Sequence, residues 1–163
     1  MAVSKNGDSC FSLRYNNHVS TLKFDKMQYP FWTEGELMFR IAVCDNDKPD
    51  LQLLLNEIEK YLKQAPELDG YVEIFDDPQK LQNAVLGGSS FDVYFLDIIM
   101  AGINGIQLGR MIHSREKKSS IIFTTSSREY ALDAYGIHAI SYLVKPIGEP
   151  ELFSAIDTAR VFW

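Results

Sequence analysis

The chain has 163 residues, room for one ordinary domain with some residues left over. Charged residues make up 23% and hydrophobic residues 46%, which excludes disorder by composition, and no apolar run approaches the ~20 residues needed to span a bilayer. The net charge of −6 falls on the part after residue 37, because residues 1–37 carry equal numbers of acidic and basic side chains; an acidic domain of this kind is a poor nucleic-acid binder by itself, since nonspecific affinity for phosphate backbones comes from Lys and Arg.

Residues 1–37 show no sustained period of two or 3.6, and scattered Asn, Ser and Gly alternate with isolated aromatics up to Tyr29-Pro30-Phe31-Trp32. They read as a flexible N-terminal extension, with Met38 a candidate for the true start because a strand pattern begins there in Met38-Phe39-Arg40-Ile41-Ala42-Val43. From Met38 onward, short apolar runs alternate with helical patterns, as expected for a parallel sheet wound with helices. Strands are expected at Ile41 to Cys44, Tyr71 to Phe75, Val93 to Leu96, Ile121 to Phe123 and Ile140 to Val144. After the first, Asp47 and Pro49 open a helix in which Leu51, Leu54, Leu55, Ile58 and Leu62 form one buried stripe. Further helices fit Pro78 to Leu86, Ile106 to Ser114, Arg128 to Tyr135 with Ser126-Ser127 as its cap, and Glu149 to Val161. Right-handed crossovers then give an α/β, flavodoxin-like, doubly wound sheet of five parallel strands in the order 2-1-3-4-5. The domain so delimited covers residues 38–160, and the apolar end Val161-Phe162-Trp163 reads as the start of a truncated linker.

In an open parallel sheet, ligands meet the carboxyl ends of the strands. The first strand ends in Asp45-Asn46-Asp47, the third in Asp97, the fourth in Thr124-Thr125-Ser126 and the fifth in Lys145-Pro146. Four separate strand ends thus deliver carboxylates, hydroxyls and an ammonium to one rim. This constellation resembles the receiver domain of two-component response regulators. Phe95-Leu96-Asp97-Ile98-Ile99-Met100-Ala101-Gly102-Ile103-Asn104-Gly105 is similar to the family's phosphoacceptor strand and loop, and Tyr142-Leu143-Val144-Lys145-Pro146 to its fifth strand, whose Lys-Pro bond is cis in the family. The Cys-Asp start, the Tyr-Phe-Leu-Asp-Ile strand and Ile121-Ile122-Phe123-Thr124-Thr125-Ser126 are most similar to the LytTR type, as in Agr and Lyt regulators.

Carried over residue by residue, the resemblance implies Asp97 as phosphoacceptor and a magnesium ion held by Asp45, Asn46, Asp97 and the backbone carbonyl of Ile99. It implies Thr125 and Lys145 on the phosphoryl group and Tyr142 as an aromatic switch. Elementary chemistry agrees: a carboxylate attacks an anionic phosphoryl group poorly unless cations neutralise the oxygens, and magnesium takes one or two carboxylates together with phosphate oxygens. Two departures stand out. Asn46 replaces the usual second acid, so magnesium binding is expected to weaken, with Asp47 serving mainly to cap the first helix; Ala101 replaces the usual Pro, which loosens the loop after Asp97.

Each residue also has a plainer explanation. Asp97, Thr125 and Lys145 could each be a solvated strand end or turn residue, and Tyr142 could be packing. His18, His113 and His138 share no motif with Cys or one another, so no histidine metal site is expected. Cys10 and Cys44 lack CxxC spacing and no cleavable leader precedes them, which gives neither zinc nor a disulfide framework and a cytoplasmic expectation; Cys44 reads as a small buried hydrophobe. Gly87-Gly88-Ser89-Ser90 lacks the Lys of a P-loop, and Lys117-Lys118 is a solvated pair. A haloacid-dehalogenase-like phosphatase would need an acid where Ile99 stands.

The resulting expectation is a regulatory module, not an enzyme, that takes a phosphoryl group from a sensor histidine kinase onto Asp97. The switched surface would be the fourth helix, fifth strand and fifth helix, and a phosphorylation-dependent homodimer is the family expectation. Transcription regulation would act through a C-terminal LytTR DNA-binding domain in a longer protein, with no nucleic acid bound by this domain alone and no membrane. The rival is a phosphate-independent pseudo-receiver scaffold, supported by Asn46.

Overall fold

A computed structural model describes residues 10–15 and 38–163. Its sheet contains β1 (Cys10–Tyr15), β2 (Met38–Cys44), β3 (Asp69–Phe75), β4 (Val93–Asp97), β5 (Ser120–Thr125) and β6 (Ser141–Val144), in the order β1-β3-β2-β4-β5-β6. Counted from Met38, the five parallel strands follow the expected 2-1-3-4-5 order. The flexible reading of residues 1–37 needs correction at one place: β1 adds antiparallel to the outer edge of β3, with Cys10 opposite Phe75 and Tyr15 opposite Gly70. Six residues of alternating pattern are enough to pair with an open edge, which otherwise presents unsatisfied N–H and C=O groups. The rest of that extension lies outside the described residues.

The parallel strands are apolar on both faces because helices cover both. β4 and β5 are buried along their whole length. On one face Ile41, Val43, Phe95 and Ile122 pack against α1 (Lys48–Gln64) and α5 (Glu149–Arg160). On the other, Ala42, Cys44, Leu96 and Phe123 pack against α2 (Pro78–Leu86) and α3 (Gly105–Arg115), with Ala134 of the short α4 (Ala131–Tyr135). The stripe predicted for α1 is buried as read: Leu51, Leu54, Leu55, Ile58 and Leu62. Tyr61 on the same helix donates to Asp157 and accepts from Arg160 at 3.0 Å, which ties α1 to α5; burial, reinforced by Asp157, pushes the Tyr61 hydroxyl up to about 12.

The helix starts follow local chemistry. Asp47 caps α1 by accepting the Asp50 N–H at 3.0 Å, the role assigned to it from sequence. Asn104 and Gln107 form a reciprocal capping box on α3. The fourth helix is shorter than read: Arg128 to Tyr130 form a turn, and Ser127 accepts the Glu129 N–H at 3.1 Å instead of capping a helix. The Ser127 carbonyl, which would accept the first helical bond, takes the Tyr142 hydroxyl at 2.6 Å. After α5, Val161 and Phe162 are exposed, while the Trp163 ring meets Phe39 edge-on at 5.1 Å. Among the described residues no helix is long and apolar enough to cross a membrane.

Candidate functional site

Parallel pairing puts the carboxyl ends of β2, β4, β5 and β6 along one edge, so the residues that follow them meet without any long loop. Asp45, next after β2, is fixed by its N–H on the Phe75 carbonyl at 3.1 Å and is 1% exposed. Its carboxylate accepts the Asp47 N–H at 2.8 Å through Oδ1 and the Lys145 ammonium at 2.7 Å through Oδ2. Asp97 ends β4 opposite Thr124 and keeps 6% of its side-chain surface accessible, at the floor of the site. Lys145, just past β6, is held by its N–H on the Thr125 carbonyl at 2.8 Å. Its Nζ lies 2.7 Å from Asp45, 2.8 Å from Asp50 and 3.4 Å from Asp97. The Lys145-Pro146 bond is cis.

Three of the expected residues, Asp45, Asp97 and Lys145, therefore converge. Asp50, in the first turn of α1, joins them and was not foreseen; its sequence signal is only that of an acid near a helix N-terminus, which helix formation alone explains. Asn46 is exposed, and so is the Ile99 side chain at 51%. Thr125 is fully buried and its hydroxyl accepts the Ser127 N–H at 3.2 Å. The neighbouring Thr124 hydroxyl is buried without a hydrogen-bond partner. Tyr142 packs at the edge of the second core cluster, and its hydroxyl bonds the Ser127 carbonyl, so Thr125 and Tyr142 grip the same residue of the β5–α4 loop from two sides.

The loop after Asp97 returns tightly. Gly102 adopts φ +84°, a backbone that favours glycine, and the Gly105 N–H donates to the Ile98 carbonyl at 3.1 Å. A Cβ on Gly105 would lie 2.0 Å from the Asp97 carbonyl oxygen, so only glycine lets α3 begin against the end of β4.

Electrostatics separate the two ends of the cluster. Burial raises the Asp97 carboxyl above its ordinary value; Lys145 opposes this and Asp45 reinforces it. Burial alone would lower the Lys145 ammonium, but the hydrogen bonds it donates to Asp45 and Asp50 hold it well above its usual range. One ammonium faces three carboxylates, so the cluster keeps an excess of negative charge. The donors are all hard oxygens, the set that suits magnesium rather than a softer metal. Lys145, however, takes up the converging carboxylates, and among the described residues no group of three His, Cys, Asp or Glu side chains is placed to hold a metal ion.

Other features follow their plainer readings. Cys44 is buried, its thiol pushed up by burial, with Sγ 3.7 Å from the Met100 sulfur. His113 and His138, unlinked in sequence, lie ring to ring at 5.5 Å; burial, Lys117 and His138 all lower the His113 imidazole. A groove of about 530 Å³ runs along α5 between Pro150 and Phe162, away from Asp97, and its acid Asp157 is engaged by Tyr61. Charge and convergence, not concavity, mark the site.

Comparison with known proteins gives the same address. The response regulator receiver domain family matches residues 41–157. The chain is 31% identical over 121 residues to the transcriptional regulatory protein LytR of Staphylococcus aureus, covering 73% of this chain and 46% of that protein. It is 32% identical over 103 residues to the positive alginate biosynthesis regulatory protein of Pseudomonas aeruginosa, covering 62% and 42%. The chain thus spans less than half the length of these curated relatives. Among solved structures, a BeF3-activated DrrB receiver domain superposes with a TM-score of 0.63 at 24% identity, covering 77% of this chain and 99% of that one. With its strand order, its converging acids and lysine, and this match, the chain belongs to the response regulator receiver family of two-component systems, regulatory domains of signal transduction with LytTR-type regulators among its relatives.

Proposed function

We propose that Asp97 accepts a phosphoryl group from the phosphohistidine of a sensor kinase and that the resulting aspartyl phosphate resets the β5–α4 loop. The observation that carries this reading is the Lys145 ammonium seated between Asp45 and Asp97 at the carboxyl edge of the sheet. In the transfer, a carboxylate oxygen of Asp97 bonds to phosphorus as the bond from phosphorus to the kinase imidazole nitrogen breaks. Lys145 neutralises charge on the phosphoryl oxygens from one side. At ~4 Å such a pair is worth on the order of 1 kcal/mol in water and about 4 at an effective dielectric of 20, so the low exposure of the site strengthens it.

The chemistry a magnesium ion would supply when bound is further positive charge against the phosphoryl oxygens. Asp45, Asp97, the Ile99 carbonyl and the Asn46 amide oxygen would hold it, with Asn46 contributing one charge fewer than an acid there. The Thr125 hydroxyl turns from the Ser127 N–H to the phosphoryl group, and Tyr142, bonded to the Ser127 carbonyl, carries that movement to α4 and β6. The switched face then meets a second copy of the domain, and a DNA-binding domain elsewhere in a longer protein would provide the transcriptional output; the proposed compartment is the cytoplasm.

Incubation with acetyl phosphate and magnesium, followed by intact-mass measurement, tests the reading. Wild type should gain the mass of one phosphoryl group and Asp97→Ala should gain none. An unmodified wild type would instead favour the phosphate-independent scaffold.

A further inference from the structure

We propose that Asp50 is a positioning residue of this site, drawing the Lys145 ammonium towards Asp45 and away from Asp97, so that it competes with the phosphoryl group for that ammonium. The proposal rests on the reading of Asp97 as phosphoacceptor.

An ammonium has three donors. Lys145 spends two of them at 2.7 Å on Asp45 and 2.8 Å on Asp50, and reaches Asp97 only at 3.4 Å, beyond the ordinary hydrogen-bond range. The three carboxylates differ in what releasing the lysine costs them. Asp45 is 1% exposed, and no water can easily replace the ammonium there. Asp50 has 39% of its side chain exposed, so water can take over when the lysine leaves. It is the partner that can let go.

The placement of Asp50 is fixed locally. Its N–H donates to the Asp47 side chain in the N-terminal cap of α1, which sets the first turn beside the end of β6. Its charge also opposes the helix N-terminus, where an acid is favourable. Asn46, by contrast, is exposed and carries no charge. The acid missing at 46 is thus replaced in number by one at 50, but that acid bonds the lysine. A phosphoryl group on Asp97 carries about two negative charges, which outweigh the single charge of Asp50 and draw the ammonium across. Until then Asp50 holds the site in its resting arrangement.

The test uses the full chain at saturating magnesium, titrated with beryllofluoride, whose beryllium accepts a carboxylate oxygen in place of one bound water and so mimics the phosphoryl group. Bound fluoride is followed by 19F NMR in wild type, Asp50→Asn and Asp50→Glu. Asp50→Asn removes the competitor and should tighten beryllofluoride binding about two- to fivefold, the range spanned by an ion pair of this exposure. Asp50→Glu retains the carboxylate and should stay with the wild type. Equal or weaker binding by Asp50→Asn overturns the proposal, as does Asp50→Glu behaving like Asp50→Asn. A wild type that binds no beryllofluoride overturns the phosphoacceptor reading itself, and the role of Asp50 with it.

Discussion

Replacing Gly105 by alanine asks whether the Asp97 strand end and the start of α3 are packed as one unit. The added methyl would sit 2.0 Å from the Asp97 carbonyl oxygen and 2.8 Å from both the Asp97 carbonyl carbon and the Ile98 Cα. All three atoms are backbone, so no side chain can swing aside. Carbon–oxygen contacts normally begin near ~3.3 Å, and the helix start or the strand end must therefore retreat by more than about 1 Å. That movement strains the Gly105 N–H bond to Ile98 and the Ile98 N–H bond to Thr124, at 3.1 and 3.3 Å. Overpacking costs about 1–3 kcal/mol, and a weakened backbone bond adds about 1. The better helix propensity of alanine returns at most ~1 kcal/mol. The net expectation is a loss of about 1–3 kcal/mol, read by urea unfolding with circular dichroism. Phosphoryl uptake from acetyl phosphate should fall as well, in conditions where the variant remains folded, because the Asp97 backbone has moved. A loss under about 0.5 kcal/mol with unchanged uptake would show that α3 does not press on the end of β4.

Two other substitutions probe the charge and the loop. The Asp97 carboxyl is raised above its ordinary value by burial, despite Lys145. A raised carboxyl binds its proton more tightly in the folded state, so ionisation costs stability as pH climbs from the ordinary carboxylate range through the raised value. Asp97→Asn should accordingly be more stable than wild type at pH 7, by the ~0.5–2 kcal/mol common when a functional strain is relieved. The gap should close on acidification below the ordinary Asp range; a less stable Asp97→Asn at neutral pH would contradict this sign. Tyr142→Phe removes the hydroxyl that bonds the Ser127 carbonyl and should cost about 1 kcal/mol. Hydrogen exchange should accelerate between residues 127 and 130, and unchanged protection there would mean that Tyr142 does not restrain the loop.

The sheet was legible because parallel strands buried on both faces leave continuous apolar runs, as in Val93 to Leu96 and Ile121 to Phe123. The site was legible for a related reason: once such strands are ordered, the residues after their carboxyl ends must share an edge, which brought Asp45, Asp97 and Lys145 together from three distant parts of the chain. Asp50 escaped notice because its partner is 95 residues away and its own surroundings already explain an acid in the first turn of α1. The late start of α4 has a similar origin. Ser126-Ser127 reads locally as a cap, yet the Ser127 carbonyl answers to Tyr142 on β6, an interaction set by the order of strands and not by neighbouring residues. β1 was missed because six alternating residues carry little signal until an open edge at β3 is available to receive them.

The same arrangement costs stability and suits the switch proposed for it. Asp45 and Asp97 are nearly excluded from water, and a single lysine, shared with Asp50, must serve both. A domain selected for stability alone would match that burial with equal positive charge or fill the edge with apolar side chains, because buried charges repay their desolvation only when fully paired. Here the negative excess persists at the carboxyl ends of the strands, with one ammonium against three carboxylates. On the proposed reading, a bound phosphoryl group would change that balance at Lys145 and Thr125, and these two residues are already joined through the Thr125 carbonyl. Thr125 in turn bonds the Ser127 N–H, whose residue Tyr142 also grips. A charge added at Asp97 therefore acts on a loop held by few hydrogen bonds, next to a helix only five residues long, and that combination of a strongly buried charge and a weakly held loop is what a two-state element requires.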